Sequence, residues 1–273
     1  MNDTFSFARF NTYFLYDLKQ MWRRNSRAIL LIGFASVILY LVYVTLSLIF
    51  SHTWHAPGLM ARGIVFYVAA LALMFYQTRT YGYLTERRAG SSWLMIPASA
   101  TEKFVSMMLI TLVVLPVAFA VVYLATDALI VLLDPTASQP LISSISELSS
   151  QFSSAWASSG APEALSLNIM ILPILLQFVT NFLYFLLCGI SFKRWKLVSA
   201  LAVLIGLQFV LTSIIGIVST QPATMDWLEA HFADANMAGQ SITTLFHWID
   251  GINAAIALGL GAGIFYRIKN LKH

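Results

Sequence analysis

Charged residues and cysteines are scarce in this chain. Asp, Glu, Lys and Arg make up only 10% of its 273 residues, whereas hydrophobic residues make up 59%. A soluble domain usually carries about 25% charged residues, so this composition excludes an ordinary soluble protein. Cys188 is the single cysteine, which excludes an internal disulfide and leaves the redox compartment open. We expect it to be a small buried side chain inside an apolar run.

Motifs for catalysis and nucleotide binding are also missing. The sequence contains no phosphate-binding run of the form G-x-x-x-x-G-K-[ST], and no polar stretch is long enough to hold an ATPase domain. His52 and His55 have the spacing of half a metal site, but no H-E-x-x-H run, second cysteine or neighbouring carboxylate completes it. The sequence therefore predicts no catalytic residue, no metal site and no cofactor, and the chain is not expected to be an enzyme.

Six long apolar runs dominate what is present. They cover residues 28–50, 60–78, 104–126, 165–190, 198–218 and 248–266. A helix rises about 1.5 Å per residue, so about 20 apolar residues cross a hydrocarbon core of about 30 Å. We predict an all-α integral membrane protein with a single transmembrane domain, residues 1–273, and six membrane-spanning helices. The second run is short, so it spans the membrane only if Arg62 reaches outward to water or the helix stands upright.

Lys and Arg are distributed unevenly around these runs. Fifteen of the sixteen fall before the first run, after the sixth, or in the loops that follow the second and fourth, and only Arg62 falls on the other side. Because cytoplasmic loops retain Lys and Arg, both termini are predicted to be cytoplasmic, in a bacterial plasma membrane. The basic residues form no continuous face, so membrane lipids rather than nucleic acid are the expected partner.

The stretch ahead of the first run, residues 5–24, is predicted to form an amphipathic helix in the membrane surface. Its apolar residues recur at steps of three and four, at Phe7, Phe10, Phe14, Leu18 and Met21. Arg9 and Asp17 lie largely off this stripe, and Tyr13 suits the headgroup zone. The alternative is a solvated helix that packs on a partner domain.

Two long loops are predicted on the outer side, at residues 134–164 and 219–247. Each contains apolar residues at helical spacing, which predicts a helix lying on the outer leaflet. These residues are Ile145, Leu148, Phe152 and Trp156 in the first loop, and Met225, Leu228 and Phe232 in the second. Asp127 and Asp250 fall near outer helix ends, where we expect water to reach them.

Residues 84–103 join the second and third runs and are predicted to form a rigid cytoplasmic segment. Ser99 and Glu102 have the spacing of a capping box, so the third helix should begin near Ala100, ahead of its apolar run. Pro97 interrupts the chain just before that cap. A charged segment held between two membrane helices is suited to pass force from a cytoplasmic motor into the membrane.

In this segment the chain resembles the membrane subunits of ABC-2 type transporters, in which a surface helix precedes six spans and a coupling helix follows the second span. The matching residues are Glu86, Arg87, Gly90, Leu94, Pro97, Ser99 and Glu102. The resemblance implies a permease that pairs through these residues with a separate ABC ATPase subunit. It also implies a second permease subunit, identical or different, and export rather than import. The sequence does not indicate the substrate.

Six polar side chains in the last three runs are candidates for a substrate pathway. They are Gln177, Asn181, Gln208, Thr212, Asp250 and Asn253. The first four form two pairs spaced by four residues, so each pair lies on one face of its helix. The alternative is that they hydrogen-bond neighbouring helices and hold the bundle together.

Small residues recur at every fourth position of the sixth run, at Gly251, Ala255, Gly259 and Gly263. Such a ridge predicts close helix packing, either within the subunit or between subunits. Pro116 and Pro173 are predicted to kink the third and fourth helices.

Two functional classes other than transport remain open. One is a membrane sensor or assembly protein whose helices only bind partners. The other, less favoured, is an intramembrane enzyme, which needs ionisable side chains that converge inside the bilayer.

Overall fold

A computed structural model describes residues 5–86, 90, 93–137, 139–144, 150, 167–219, 221, 226 and 235–270. Over these residues the regular structure is entirely helical. The helices are α1 (Phe7–Gly33), α2 (Ala35–Ser51), α3 (Leu59–Thr80), α4 (Ala100–Leu109), α5 (Leu115–Leu133), α6 (Leu167–Ser191), α7 (Lys196–Ser219) and α8 (Ala235–Lys269). A short 3₁₀ helix, Gly82–Thr85, follows α3, and a π turn, Ile110–Val114, joins α4 to α5.

Five of the described helical segments are long and apolar enough to cross a membrane, and a bent pair of helices adds a sixth. The bent pair is α1 and α2, which meet at 43° around Phe34. This chain is therefore a multi-pass membrane protein. The run 28–50 is not one straight helix, because α1 includes its first residues and continues to Gly33. The predicted outer-loop helices at 145–156 and 225–232 lie almost entirely outside the described residues.

The buried face of α1 differs in part from the predicted stripe. Phe10 and Met21 of the stripe are buried, but Tyr13 and Asp17 are buried as well, and Phe7 is 75% exposed. The reason is that α1 packs against α3, α4 and α5. Hydrogen bonds to Tyr13 and Asp17 come from Tyr81 just after α3, from Trp93 before α4 and from Ser106 in α4. Helix α1 is thus built into the bundle.

Helix α6 is the centre of the bundle, and α8 and α3 pack along it. Gly189 of α6 permits the closest approach, because a Cβ atom there would lie 2.6 Å from the carbonyl oxygen of Thr78. Helix α7 is the opposite case, since 6% of its apolar window is buried against 44% for α6. Most of α7 is therefore left to lipid or to another protein.

Pro116 is accommodated without ending the third span. A proline lacks an amide hydrogen and clashes with the carbonyl four residues earlier, here that of Leu112. The π turn Ile110–Val114 surrounds that carbonyl and widens the helix there, and the span continues from Ala100 to Leu133. Helix α6 likewise continues through Pro173.

Candidate functional site: a central cavity and the joint beneath it

The predicted capping box at the start of α4 is confirmed. The Glu102 amide donates to Ser99 Oγ at 3.2 Å, and the Ser99 amide donates to Glu102 Oε2 at 2.9 Å. Two of the free amides at the start of the helix are satisfied in this way. Helix α4 accordingly begins at Ala100, ahead of the apolar run, as predicted.

Glu102 also binds the start of α1, which the sequence did not indicate. Its Oε1 lies 2.7 Å from Arg9 Nη2 and accepts a hydrogen bond from the Ser6 amide at 2.9 Å. The carboxylate is completely buried, whereas the arginine side chain is 35% exposed. One side chain therefore caps α4 and fastens α1 to it.

A second layer of polar contacts extends this attachment. Trp93 Nε1 donates to the Tyr13 hydroxyl at 2.9 Å, and Asp17 accepts from Ser106 at 2.7 Å and from Tyr81 at 3.0 Å. We call this set the α1–α4 joint: Arg9, Tyr13, Asp17, Tyr81, Trp93, Glu102 and Ser106. Because all its carboxylates are buried and hydrogen-bonded, the joint holds α1, α3 and α4 in one arrangement.

Lys103 binds Trp93, which lies in the segment before α4, and so adds a further contact to the joint. Its ammonium donates to the Trp93 carbonyl at 3.1 Å and lies 4.5 Å from the centre of the Trp93 ring. A cation over the face of an indole is attracted to it electrostatically. Trp93 is thus fixed through its ring, its indole nitrogen and its backbone. The sequence signal for these contacts is a tryptophan in a loop that otherwise contains many charged residues.

The residues that carry the family resemblance divide into exposed and buried groups. Glu86 and Pro97 are exposed, Leu94 is half-buried, and Gly90, Ser99 and Glu102 are buried. Arg87 lies outside the described residues. Met95, next to Leu94, is 82% exposed. Among the described residues of this segment, Glu86, Met95 and Pro97 are the exposed ones.

A cavity of about 680 Å³ lies between α3, α5, α6 and α8. We call it the central cavity. Three predicted pathway residues line it, Gln177, Asn181 and Asn253, and the Gln177 side-chain amide donates to Asn181 Oδ1 at 3.3 Å. Most of the wall is apolar and aromatic, with Phe66, Tyr67, Phe119 and Phe178, and it includes Pro116 and Pro173. Small-molecule sites have this size and this mixture of apolar walls with a few polar groups.

The other predicted pathway residues do not line the central cavity. Gln208 and Thr212 are exposed on α7. Asp250 is 9% exposed, and its Oδ1 has no hydrogen-bond partner among the described residues. The expectation of a hydrated Asp250 was wrong, because its face of α8 packs along α6, where the Asn253 carbonyl accepts from Thr180 at 3.4 Å.

Among the described residues, the small-residue ridge of α8 has a close neighbour at Gly263. A Cβ atom at Gly263 would lie 3.5 Å from Leu187, whereas one at Gly251 or Gly259 would meet no described atom within 4 Å. Ala255 is exposed. Another face of α8 packs in the core, through Ala257, Leu260, Ile264 and Ile268. Packing of the rest of the ridge, between subunits, stays a prediction.

A buried ion pair links α3 and α5 at the far end from the joint. Arg62 Nη1 lies 3.0 Å from Asp127 Oδ1, and the two side chains are 2% and 1% exposed. Asp127 also accepts from the Leu141 amide at 2.8 Å, and Arg62 donates to the Gln139 carbonyl at 2.8 Å. Asp127 was expected in water, and this was wrong; Arg62 does not reach outward to water either, because each side chain neutralises the other inside the protein.

Asp134 joins the end of α5 to α2 and the loop that follows it. It accepts hydrogen bonds from the Tyr40 hydroxyl at 2.8 Å, from Trp54 Nε1 at 2.9 Å and from the Thr136 amide at 2.9 Å. Burial raises the pKa of this carboxyl, but the hydrogen bonds from Thr136, Trp54 and Tyr40 outweigh it and hold the pKa below its usual range. His52 and His55, nearby, are exposed. Within the described part of the chain, no three His, Cys, Asp or Glu side chains are grouped to hold a metal ion.

Comparison of this chain with protein-family models, with curated proteins and with solved structures finds no match.

Proposed function

We propose that this chain is the membrane-spanning permease subunit of an ABC-2-like transporter. It exports its substrate through the central cavity, driven by a separate ABC ATPase, and it works beside a second permease subunit. In this proposal it crosses a bacterial plasma membrane six times, with α1 and α2 counted as one bent span, and both termini are cytoplasmic.

The charge distribution supports this topology. Fifteen of the sixteen Lys and Arg residues fall on the predicted cytoplasmic side. Arg62, the one exception, is buried and paired with Asp127, so it does not act as a cation in an outer loop. Arg62 was the single basic residue that opposed this topology, and because it is buried in an ion pair it no longer counts against it.

The observation that carries the proposal is the continuous span from Ala100 to Leu133. At its start Glu102 belongs to the α1–α4 joint, and further along Phe119 forms part of the cavity wall. A force applied to the segment before α4 is therefore passed along one helix to the cavity. The π turn Ile110–Val114 lies between the two, where the helical hydrogen bonding is already irregular.

The cavity itself favours an apolar or amphiphilic substrate. Its aromatic wall offers hydrophobic contact, and the amides of Gln177, Asn181 and Asn253 offer hydrogen bonds to one polar group. When the ATPase closes on ATP, it pulls on the exposed surface around Glu86 and Met95. Six of the seven joint residues, all except Arg9, are buried, so they move as one unit.

The topology is tested by single cysteines in a Cys188→Ser background. Ser150→Cys and Ala238→Cys should react with an impermeant thiol reagent added to intact cells, because both lie on the predicted outer side. Ala89→Cys should react only after the cells are opened. Labelling of Ala89→Cys in intact cells, without labelling of the other two, contradicts the topology.

The coupling is tested by purification of the full-length protein from its host in a mild detergent. It should co-purify with an ATPase whose ATP hydrolysis it stimulates. Replacing Glu86 and Arg87 by alanine should reduce both effects several-fold and leave the melting temperature unchanged, since Glu86 is exposed. Lys269→Ala, an exposed basic residue elsewhere, is the control. Equal stimulation by all variants contradicts coupling through this segment, and absence of any ATPase favours the sensor or assembly alternative.

A further inference from the structure

A second cavity, of about 600 Å³, lies at the end of the molecule that carries most of the Lys and Arg residues. We call it the rim cavity. It is formed by the last turn of α3, the 3₁₀ helix Gly82–Thr85, and the turn from α6 into α7. It is separate from the central cavity, since the two share no lining residue.

The charges around the rim cavity favour an anion. Arg79, Lys193 and Lys196 line it, against one carboxylate, Glu86. Lys196 donates one hydrogen bond to the Gly82 carbonyl and is attracted to the Glu86 carboxylate. An ammonium has three donors, and no second hydrogen bond of this one is made within the described residues. Arg79 and Lys193 are exposed. Three cations around one space form a site for a phosphate or a carboxylate.

The start of α7 adds to this preference. The α7 helix begins at Lys196 with no acidic residue in its first turn, and Leu197 and Val198 of that turn line the cavity. The amides at a helix start are unpaired and carry a partial positive charge, so they attract anions. The helix start does not define the site by itself, but like the three cations it favours binding of an anion.

Apolar side chains border the same cavity, which distinguishes a lipid from a free anion. Trp195 is 78% exposed, and its backbone has a φ of 52°, a conformation that residues with a side chain rarely adopt. Leu197 and Val198 are 39% and 56% exposed beside it. Exposed tryptophan is typical of the headgroup level of a membrane, and exposed aliphatic residues below it contact acyl chains.

We infer that the rim cavity binds the phosphate headgroup of an anionic phospholipid, with its acyl chains lying along the exposed start of α7. Arg79, Lys193 and Lys196 contact the phosphate, and Trp195 lies at the level of the glycerol. The site requires only that the chain lies in a membrane and does not depend on transport. A bound lipid here fills the space between α3 and the poorly packed α7.

The test is native mass spectrometry of the full-length protein in a neutral detergent, with added phosphatidylglycerol or phosphatidylcholine. The parent protein should retain phosphatidylglycerol in clear preference. The double variant Arg79→Gln with Lys193→Gln should bind it on the order of 20-fold more weakly, because each basic residue near anionic headgroups contributes about a fivefold change in binding. Both side chains are exposed, so the variant should keep the parent's melting temperature.

The matched control is Arg27→Gln with Lys269→Gln, which removes two exposed cations outside the rim cavity. It should weaken phosphatidylglycerol binding by less than about threefold, because these two cations lie outside the cavity and their attraction to the bound phosphate is screened by salt and water. Equal weakening by the two double variants overturns the site, and so does equal retention of both lipids by the parent.

Two further measurements separate a lipid from a free anion. Trp195→Ala should weaken phosphatidylglycerol binding several-fold, since the exposed ring lines the cavity and offers apolar contact to the lipid. Inorganic phosphate, added in large excess over the lipid, should leave phosphatidylglycerol bound. Displacement of the lipid by inorganic phosphate, together with no effect of Trp195→Ala, assigns the cavity to a free anion and overturns the proposal.

Discussion

The span from Ala100 to Leu133 carries one carboxylate near each end, and each binds an arginine from a different helix. At the first end Glu102 lies 2.7 Å from Arg9, and at the second Asp127 lies 3.0 Å from Arg62. The carboxylates are equally buried. The arginines are not, because the Arg9 side chain is 35% exposed and the Arg62 side chain is 2% exposed.

This difference sets how firmly each end is held. A pair with one partner partly in water separates at a smaller cost, since water and salt ions replace the contact on the side of the arginine. A pair with both partners buried separates at a larger cost, because separation leaves unpaired charges in a medium of low dielectric constant. The span is therefore fixed to α3 at its second end. At its first end, where force from a motor is proposed to enter, only the Arg9 contact is adjustable, while the buried contacts of Tyr13 and Asp17 hold α1 in place.

The largest effect is expected from Asp127→Ala. The change leaves the Arg62 guanidinium buried without its carboxylate, which typically costs about 3 to 5 kcal/mol in the free energy of unfolding. Thermal unfolding in detergent measures it. The double variant Arg62→Met with Asp127→Leu removes both charges and should recover most of this loss. Equal destabilisation by the single and double variants contradicts the importance of the pair.

Glu102→Ala should have an intermediate effect, of about 1 to 3 kcal/mol. It removes the cap of α4 together with the contacts to Arg9 and the Ser6 amide. Glu102→Gln is the matched variant, because it keeps one oxygen for the cap and loses the charge together with the second acceptor oxygen. The free energy of unfolding should fall less for glutamine than for alanine. If the two variants unfold alike, the cap contributes nothing and the ion pair contributes everything.

Arg9→Gln should reduce the melting temperature less than Glu102→Ala does. The arginine is partly in water, so its pairing is weakened by salt, and the difference from the parent should shrink between low and high ionic strength. Melting curves at two salt concentrations measure this, with Arg27→Gln as the control for an exposed arginine of the same helix. A loss that is large and independent of salt contradicts an adjustable attachment.

Gly259→Leu should have the smallest effect, since no atom of the described residues lies within 4 Å of a Cβ at this position. The melting temperature should be unchanged or slightly higher, because leucine favours a helix over glycine by up to about 1 kcal/mol. Gly189→Ala is the contrasting control, because its Cβ would clash with the backbone at Thr78. A clear drop for Gly259→Leu reveals a contact with a second subunit, as the small-residue ridge predicts.

Much of the fold follows from local patterns in the sequence. Apolar runs predicted the membrane helices, and the spacing of Ser99 and Glu102 predicted the start of α4 within a residue. The start of α8, by contrast, was not predicted. Helix α8 begins at Ala235, well before its apolar run, because hydropathy reports contact with lipid and not the end of the helical backbone.

Contacts between distant residues could not be predicted in the same way. Arg62 and Asp127 are 65 positions apart, and Tyr13 and Trp93 are 80 apart, so no periodicity relates them. A charge beside an apolar run has two physical solutions, hydration at the membrane surface or neutralisation inside the protein. Which one applies depends on the neighbouring helix. For the cavity residues, spacing placed Gln177 and Asn181 on one face, but only packing could show that Gln208 faces away from them.

The π turn Ile110–Val114 has a further consequence for the direction in which the span presents its two carboxylates. An α-helix turns about 100° per residue, so positions 102 and 127 of an unbroken α-helix are about seven full turns apart and point to the same side. One π turn adds a residue without adding a turn, which rotates everything beyond it by about 100°. Glu102 can then contact α1 while Asp127 contacts α3. Deleting one residue at this point should keep both halves of the span helical but turn Asp127 away from Arg62. The single extra residue of the π turn therefore allows one span to pair with α1 at one end and with α3 at the other.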